Sequence, residues 1–188
     1  MIDKSREKLI HAIIFFVKNT KKCHMTKVFK LLFSLDFEHF KQTGRSVSGL
    51  DYYAWDNDPL PKSLYKEINT SERLDESIEI IKKKFLVFYK RKVSLKPIVN
   101  FNKRIFSKRE LEIMNNLANK YKDFDSNDMI EESHKENSPW DRVFNQEGKK
   151  KDIIPYLYAL DNSSNSITKE EALERKNDRD EIIKNFGS

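Results

Sequence analysis

The chain has 188 residues, 38% hydrophobic and 35% charged, with a formal net charge of +6. That length fits one domain with at most a small appendage, and only four glycines argue against a turn-rich β architecture and exclude a phosphate-cradling glycine loop. A single cysteine, Cys23, excludes an internal disulfide and suits a reducing compartment.

Leu9, Ile10, Ile13, Ile14 and Val17 recur at helical spacing and predict an amphipathic helix over 5–19. Its apolar stretch, Ile10 to Val17, is interrupted by His11, has no small-residue cleavage site and is too short to span a bilayer. The expectation is a cytoplasmic chain with no membrane partner. Thr26 is the expected cap of a second helix, which stops at Gly44. "RSVSGLDYYAW" (Arg45–Trp55) alternates loosely around a Ser-Gly turn and reads as a short hairpin. "DNDP" (Asp56–Pro59) reads as a turn, because Asp and Asn side chains bond their own backbone and Pro fixes φ. Pro61 suits the first turn of a helix carrying Leu64 and Ile68.

Residues 72–83 are predicted helical, and "FLVFY" (Phe85–Tyr89) reads as a strand. Residues 90–105 read as a basic, irregular connector around Pro97. "SKRE" (Ser107–Glu110) is a capping box opening a helix to about residue 122, marked by Leu111, Met114, Leu117, Ala118 and Tyr121. A short helix over 127–134 follows. Another starts at Ser138-Pro139, an N-cap with proline at the first helical position. "NSSNSI" (Asn162–Ile167) is a polar linker, and "TKEE" (Thr168–Glu171) is a second capping box. The helix after it, 169–185, is charged nearly all round and is expected to stand outside the main core. The division expected is a domain over 1–160 and an appendage over 161–188. The fold class is mainly α: a compact helical domain with a small β-hairpin or sheet and a charged C-terminal helix.

On a wheel of about 100° per residue, Val28, Phe29, Leu31, Leu32, Phe33, Leu35, Phe37 and Phe40 cover a wide apolar arc. Asp36 and His39 fall near its middle, three residues apart and on one face. A buried carboxylate and imidazole are costly unless paired. Two readings stay open: the two organise a binding surface, or they form a structural polar node completed by a tyrosine hydroxyl or the Trp55 indole. Tyr52 and Tyr53 are neighbours, so in a strand they face opposite sides.

Enzyme chemistry has little support. No His or Cys spacing suits a metal, since the adjacent Cys23 and His24 do not make a ligand set. No local partner activates Cys23 as a nucleophile. No cofactor is expected. The pI of about 9.2 and the basic runs Lys82–Lys84, Lys90–Lys92 and Lys149–Lys151 keep a nucleic-acid-binding regulator as a second reading. Such runs are more often solvated faces, and they suit an acidic protein equally.

"KLLFSLDFEHFKQTGRSVSGLDYYAW…PLPKSLY" (Lys30–Tyr65) resembles the N-terminal signature of the Panacea domain, the antitoxin domain related to SocA and to phage-associated GepA proteins. Lys30, Leu31, Leu32, Asp36, Gly44, Ala54, Trp55, Pro59, Leu64 and Tyr65 fit the pattern. Asp58 departs from it, standing where the family usually has glycine. A second signature, a Ser-His pair followed by "PW", is matched by Ser133, His134, Pro139 and Trp140. The resemblance spans about residues 5–145. It implies an antitoxin, without enzymatic activity, that neutralises a cognate protein toxin by direct complex formation. One relative delivers its toxin to a AAA+ protease, so an adaptor role stands as a further alternative. On this reading Asp36 and His39 are organisers, and Tyr52, Tyr53 and Trp55 are hairpin anchors. Pro59 belongs to the turn, and His134 and Trp140 come from the second signature.

Overall fold

Two helices that are apolar most of the way round form the centre, because such a helix must be covered on nearly every side. The first, α1 (Lys4–Asn19), buries Leu9, Ile10, Ala12, Ile13, Ile14, Phe15 and Phe16. The second, α2 (Met25–Thr43), buries Val28, Leu31, Leu32 and Leu35 completely. The computed structural model describes residues 4–56, 58–84, 91–125, 128–129, 131 and 135–186. The molecule is mainly α-helical with two small sheets.

His24, not Thr26, occupies the N-cap of α2, and its side chain makes no capping bond. Its ring Nδ1 lies 3.1 Å from Ser94 Oγ instead. At the other end, Gly44 adopts φ 71° and its N–H bonds the Phe40 carbonyl, the left-handed stop that glycine makes without strain. A Cβ there would lie 3.1 Å from Ile167 Cδ1, so glycine also admits the C-terminal segment.

The hairpin sits one turn later than the Ser-Gly reading placed it. Strand β1 (Tyr53–Ala54) pairs with β2 (Pro59–Leu60), Tyr53 opposite Leu60 and Ala54 opposite Pro59. Asp56 and Asp58 therefore lie in the connection within the hairpin. Helix α3 (Lys62–Thr70) follows from Pro61 and buries Leu64 and Ile68.

Residues 72–83 are not helical. They form β3 (Arg73–Leu74) and β4 (Ile78–Lys84), joined by a turn in which Asp75 takes φ 45°. Leu74, Ile78 and Ile81 mimic helical spacing. Ile78 and Ile80, however, are β-branched and alternate inward with Glu79 between them, which fits a pleated, half-buried surface. The expected connector is likewise a strand over most of its length, β5 (Arg91–Pro97), aligned antiparallel to β4 with Ile80 opposite Leu95. Val93 and Leu95 are its buried positions, and Pro97 ends an edge strand, where a missing N–H is tolerated. The strand reading for Phe85–Tyr89 and most of the helix reading for 127–134 lie outside the described residues.

Helix α4 (Lys108–Lys120) packs on α1 and α2 and opens on the expected capping box, with both reciprocal bonds present. The Glu110 carboxylate serves twice: it accepts the Ser107 N–H at 2.7 Å and Lys8 Nζ at 2.6 Å. Helix α5 (Pro139–Asp141) is capped by Ser138 and runs into a π-helical turn, Arg142–Gln146. A 3₁₀ turn, Tyr156–Ala159, returns to α2. The last helix, α6 (Lys169–Phe186), carries the Thr168–Glu171 box and buries Ala172. Its Arg175 donates to the Thr43 carbonyl at 2.9 Å, and Ile167 N–H bonds the Lys41 carbonyl at 2.9 Å. The C-terminal segment thus satisfies carbonyls that the end of α2 would otherwise leave open.

Burial pushes the Glu110 carboxyl up, but the bonds from Lys8 and Ser107 and the Lys8 charge outweigh it and leave it below the ordinary glutamate range. A carboxyl depressed in the folded state adds stability above its unfolded value and loses it as pH falls through the folded one. Glu110→Gln should cost about 1–2 kcal/mol at pH 7. The urea midpoint of the parent chain should fall as pH drops below about 4.3, and the variant should show a shallower decline over the same range. Urea titrations across that range check both.

Candidate interaction surface

Asp36 is completely buried in α2, and its carboxylate accepts hydrogen bonds from one short loop. Val47 N–H donates to Oδ1 at 2.7 Å and Ser48 N–H at 2.8 Å. The Ser48 hydroxyl donates to Oδ2, and Tyr52 OH donates to the same oxygen at 2.7 Å. Burial holds this carboxyl above the usual range, and the four donors offset that only in part. His39, one turn along, is buried too but bonds elsewhere: Nδ1–H donates to the Arg45 carbonyl at 2.7 Å. Burial lowers its basicity, so the imidazole is neutral at pH 7 and the Nδ1 tautomer is fixed by its acceptor. Asp36 and His39 therefore hold the two ends of one loop, each through its own bonds.

That loop delivers the chain into β1. Tyr52 points inward and is fully buried, with its ring edge-on to Phe33 and Phe37. Tyr53 and Trp55 are partly exposed. Three further contacts fix the hairpin. The backbone of 151–154 runs alongside it: Lys151 N–H bonds the Ala54 carbonyl at 2.7 Å, Ala54 N–H bonds Asp152 at 2.8 Å and Ile154 N–H bonds Tyr52 at 2.8 Å. Trp140, buried and stacked on Phe144 at 4.5 Å, donates its indole N–H to the Trp55 carbonyl at 3.0 Å. At the hairpin turn Asp58 pairs with Lys30, a lysine 2% exposed. The residue that departs from the glycine of the signature thus supplies the counter-charge of a buried cation, and Pro59 beside it is buried in β2.

The outer face of the hairpin carries two lysines over its rings. Lys62 Nζ lies 3.7 Å from the Tyr53 ring centroid, and Lys151 Nζ lies 4.9 Å from that of Trp55. Ile153, 48% exposed, is bridged to Tyr53. A groove of about 810 Å³ between α2 and α4 is lined by Phe33, Phe37 and Leu117, together with Arg142, which stacks on Tyr158.

Of the residues singled out from sequence, Tyr52, Tyr53, Trp55, Pro59 and Trp140 come together on or under the hairpin. Asp36 supports it through Tyr52, and His39 supports the start of the loop. Ser133 and His134 lie outside the described residues. Sequence reasoning singled out Lys151 only as part of a basic run, and it missed Ser48, Lys62 and Tyr156, whose ring stacks on Phe37 at 4.6 Å and whose hydroxyl donates to the Leu50 carbonyl at 2.6 Å. A proline-started helix placing Lys62 right after the hairpin was the available signal for that residue. Nothing local pointed to Ser48 or Tyr156. Among the described residues no group of three or more His, Cys, Asp or Glu could hold a metal ion, and no helix is long and apolar enough to cross a membrane.

Residues 28–141 match the family described as Antitoxin SocA-like, Panacea domain. The chain belongs to that family of antitoxin-like domains. The match takes in α2 from Val28 on, the loop held by Asp36, the hairpin, α3 and Trp140; α1 and everything after Asp141 lie beyond it. No curated protein and no solved structure matches the chain.

Asp36→Ala strands two buried backbone N–H groups and should cost about 3 kcal/mol or more. Asp36→Asn keeps the acceptor for those groups, and the Ser48 and Tyr52 hydroxyls can turn to accept from its amide, so it should cost clearly less. Tyr52→Phe should cost about 1 kcal/mol. Urea midpoints of the three variants give the order.

Proposed function

We propose that the chain is an antitoxin that neutralises a cognate protein toxin by binding it directly and covering its active site or substrate surface. The observation that carries this reading is the family match over residues 28–141. The geometry of the hairpin supports it. Tyr53 and Trp55 are presented on a hairpin tied to the fold by backbone bonds to 151–154, by Trp140 and by the Lys30–Asp58 pair. Aromatic side chains with few torsions to freeze, held on a rigid support, are the usual anchors of protein interfaces. The reading involves no catalytic step.

The nucleic-acid alternative draws less support. Lys82 donates to the Asn69 and Ser71 carbonyls at the end of α3, and Lys149 pairs with Glu147. These lysines of the basic runs serve the chain's own surface.

The test is co-expression with the product of the reading frame adjoining this gene, scored as colony growth. Growth arrest by that product alone should be relieved by this chain. Rescue should be lost with Trp55→Ala, a change that leaves the Trp55 carbonyl and its bond to Trp140 in place, with folding checked by circular dichroism. Toxicity that the chain leaves untouched overturns the reading. Faster disappearance of the partner in the presence of the chain would instead identify a protease adaptor.

A further inference from the structure

The cation cluster on the hairpin goes further than the family does, because Lys151 and Ile153 stand outside the matched residues. Lys62 and Lys151 come from positions far apart in sequence and share the Trp55 ring, with Lys62 also over Tyr53. Lys62 Nζ is 3.7 Å from the Tyr53 centroid and 5.5 Å from that of Trp55, and it is 3.5 Å from the Lys151 carbonyl. Lys151 Nζ is 4.9 Å from the Trp55 centroid. Among the described residues neither ammonium is in an ion pair. The carboxylates of Asp58 and Glu147 pair with Lys30 and Lys149, and Asp56 and Asp152 are the acidic neighbours in sequence.

A ring beneath an ammonium restrains it while leaving its remaining donors free. Two such ammoniums beside the exposed Ile153 make a surface with an apolar patch and fixed positive charge above it. The complement is a protein face with carboxylates around an apolar side chain. Base stacking needs an open ring face, and here ring faces already carry lysines. We propose that Lys62 and Lys151, seated on Tyr53 and Trp55, form the docking site for an acidic face of a protein partner. The proposal deepens the antitoxin reading and rests on it for the identity of that partner.

The probe is a short synthetic peptide of glutamates flanking a pair of leucines, titrated into the full chain and followed by tryptophan fluorescence. Trp140 is 2% exposed, so a change in emission reports on Trp55. A saturable change is expected, weakened by added salt and roughly tenfold by Lys62→Glu with Lys151→Glu. Lys62→Gln with Lys151→Gln, a milder pair, should show a smaller loss. The melting temperature of each variant confirms its fold. The proposal is overturned by an absence of saturable change, by equal binding of the charge-reversed chain, by equal binding of a lysine counterpart of the peptide, or by tighter binding of a dT oligonucleotide. The growth assay separates the two levels. Rescue by the charge-reversed chain would sink this docking site and leave the antitoxin reading intact. A peptide that binds as expected, beside a neighbouring product that is harmless, would do the reverse.

Discussion

The carboxylate of Asp36 is the constraint on which the loop over residues 47–52 and the hairpin after it depend. A charge without exposure in the middle of an apolar helix is a large liability unless its lone pairs are filled. Here they are filled by two backbone amides and two hydroxyls, all from residues 47–52. The loop has no regular secondary structure to satisfy its own amides, and the carboxylate has no cation among its hydrogen-bond partners. Each solves the problem of the other. The same bonds decide which way Tyr52 faces, and because neighbouring strand residues face opposite sides, they send Tyr53 outward.

Two buried lysines of α2 follow the same logic with the sign reversed. Lys27 is fully buried and donates to the Lys21 and Phe124 carbonyls at 2.9 and 2.7 Å, with Lys122 at 3.4 Å. Its ammonium ties the α1–α2 connection to the segment after α4. Lys30 reaches the hairpin turn and meets Asp58. One helix therefore reaches out through Lys27, Lys30, Asp36 and His39 to four different stretches of backbone or side chain. The surrounding loops are positioned by polar contacts made inside an apolar helix, which gives them direction that packing alone does not.

The parts of this arrangement that repeat at short range were legible in the sequence. The turns of α1, α2 and α4, the left-handed stop at Gly44, the capping boxes at Ser107 and Thr168 and the inward position of Asp36 all follow from residues within one or two helical turns. The position of the three-stranded sheet was not legible, because Leu74, Ile78 and Ile81 satisfy the helical period while Ile78 and Ile80 satisfy the strand period. A turn built on Asp75 rather than glycine removed the usual signal between β3 and β4. In β5, lysines and arginine hid the alternation of Val93 and Leu95. For the candidate surface, Tyr53 and Trp55 could be read from the hairpin, but Lys151 joins them only because the backbone of 151–154 lies against β1. That pairing is set by tertiary structure and leaves no local trace.

The contacts of the C-terminal segment with α2 have a thermodynamic consequence. The bonds from Ile167 and Arg175 close the last turn of the helix whose next residues, through His39 and Arg45, begin the loop that leads to the hairpin. Any free energy that holds α6 in place is shared with that turn, so loosening the tail is felt first at the end of α2. Whatever seizes or trims the tail takes away the partners of the Lys41 and Thr43 carbonyls and leaves the end of α2 to be closed by solvent.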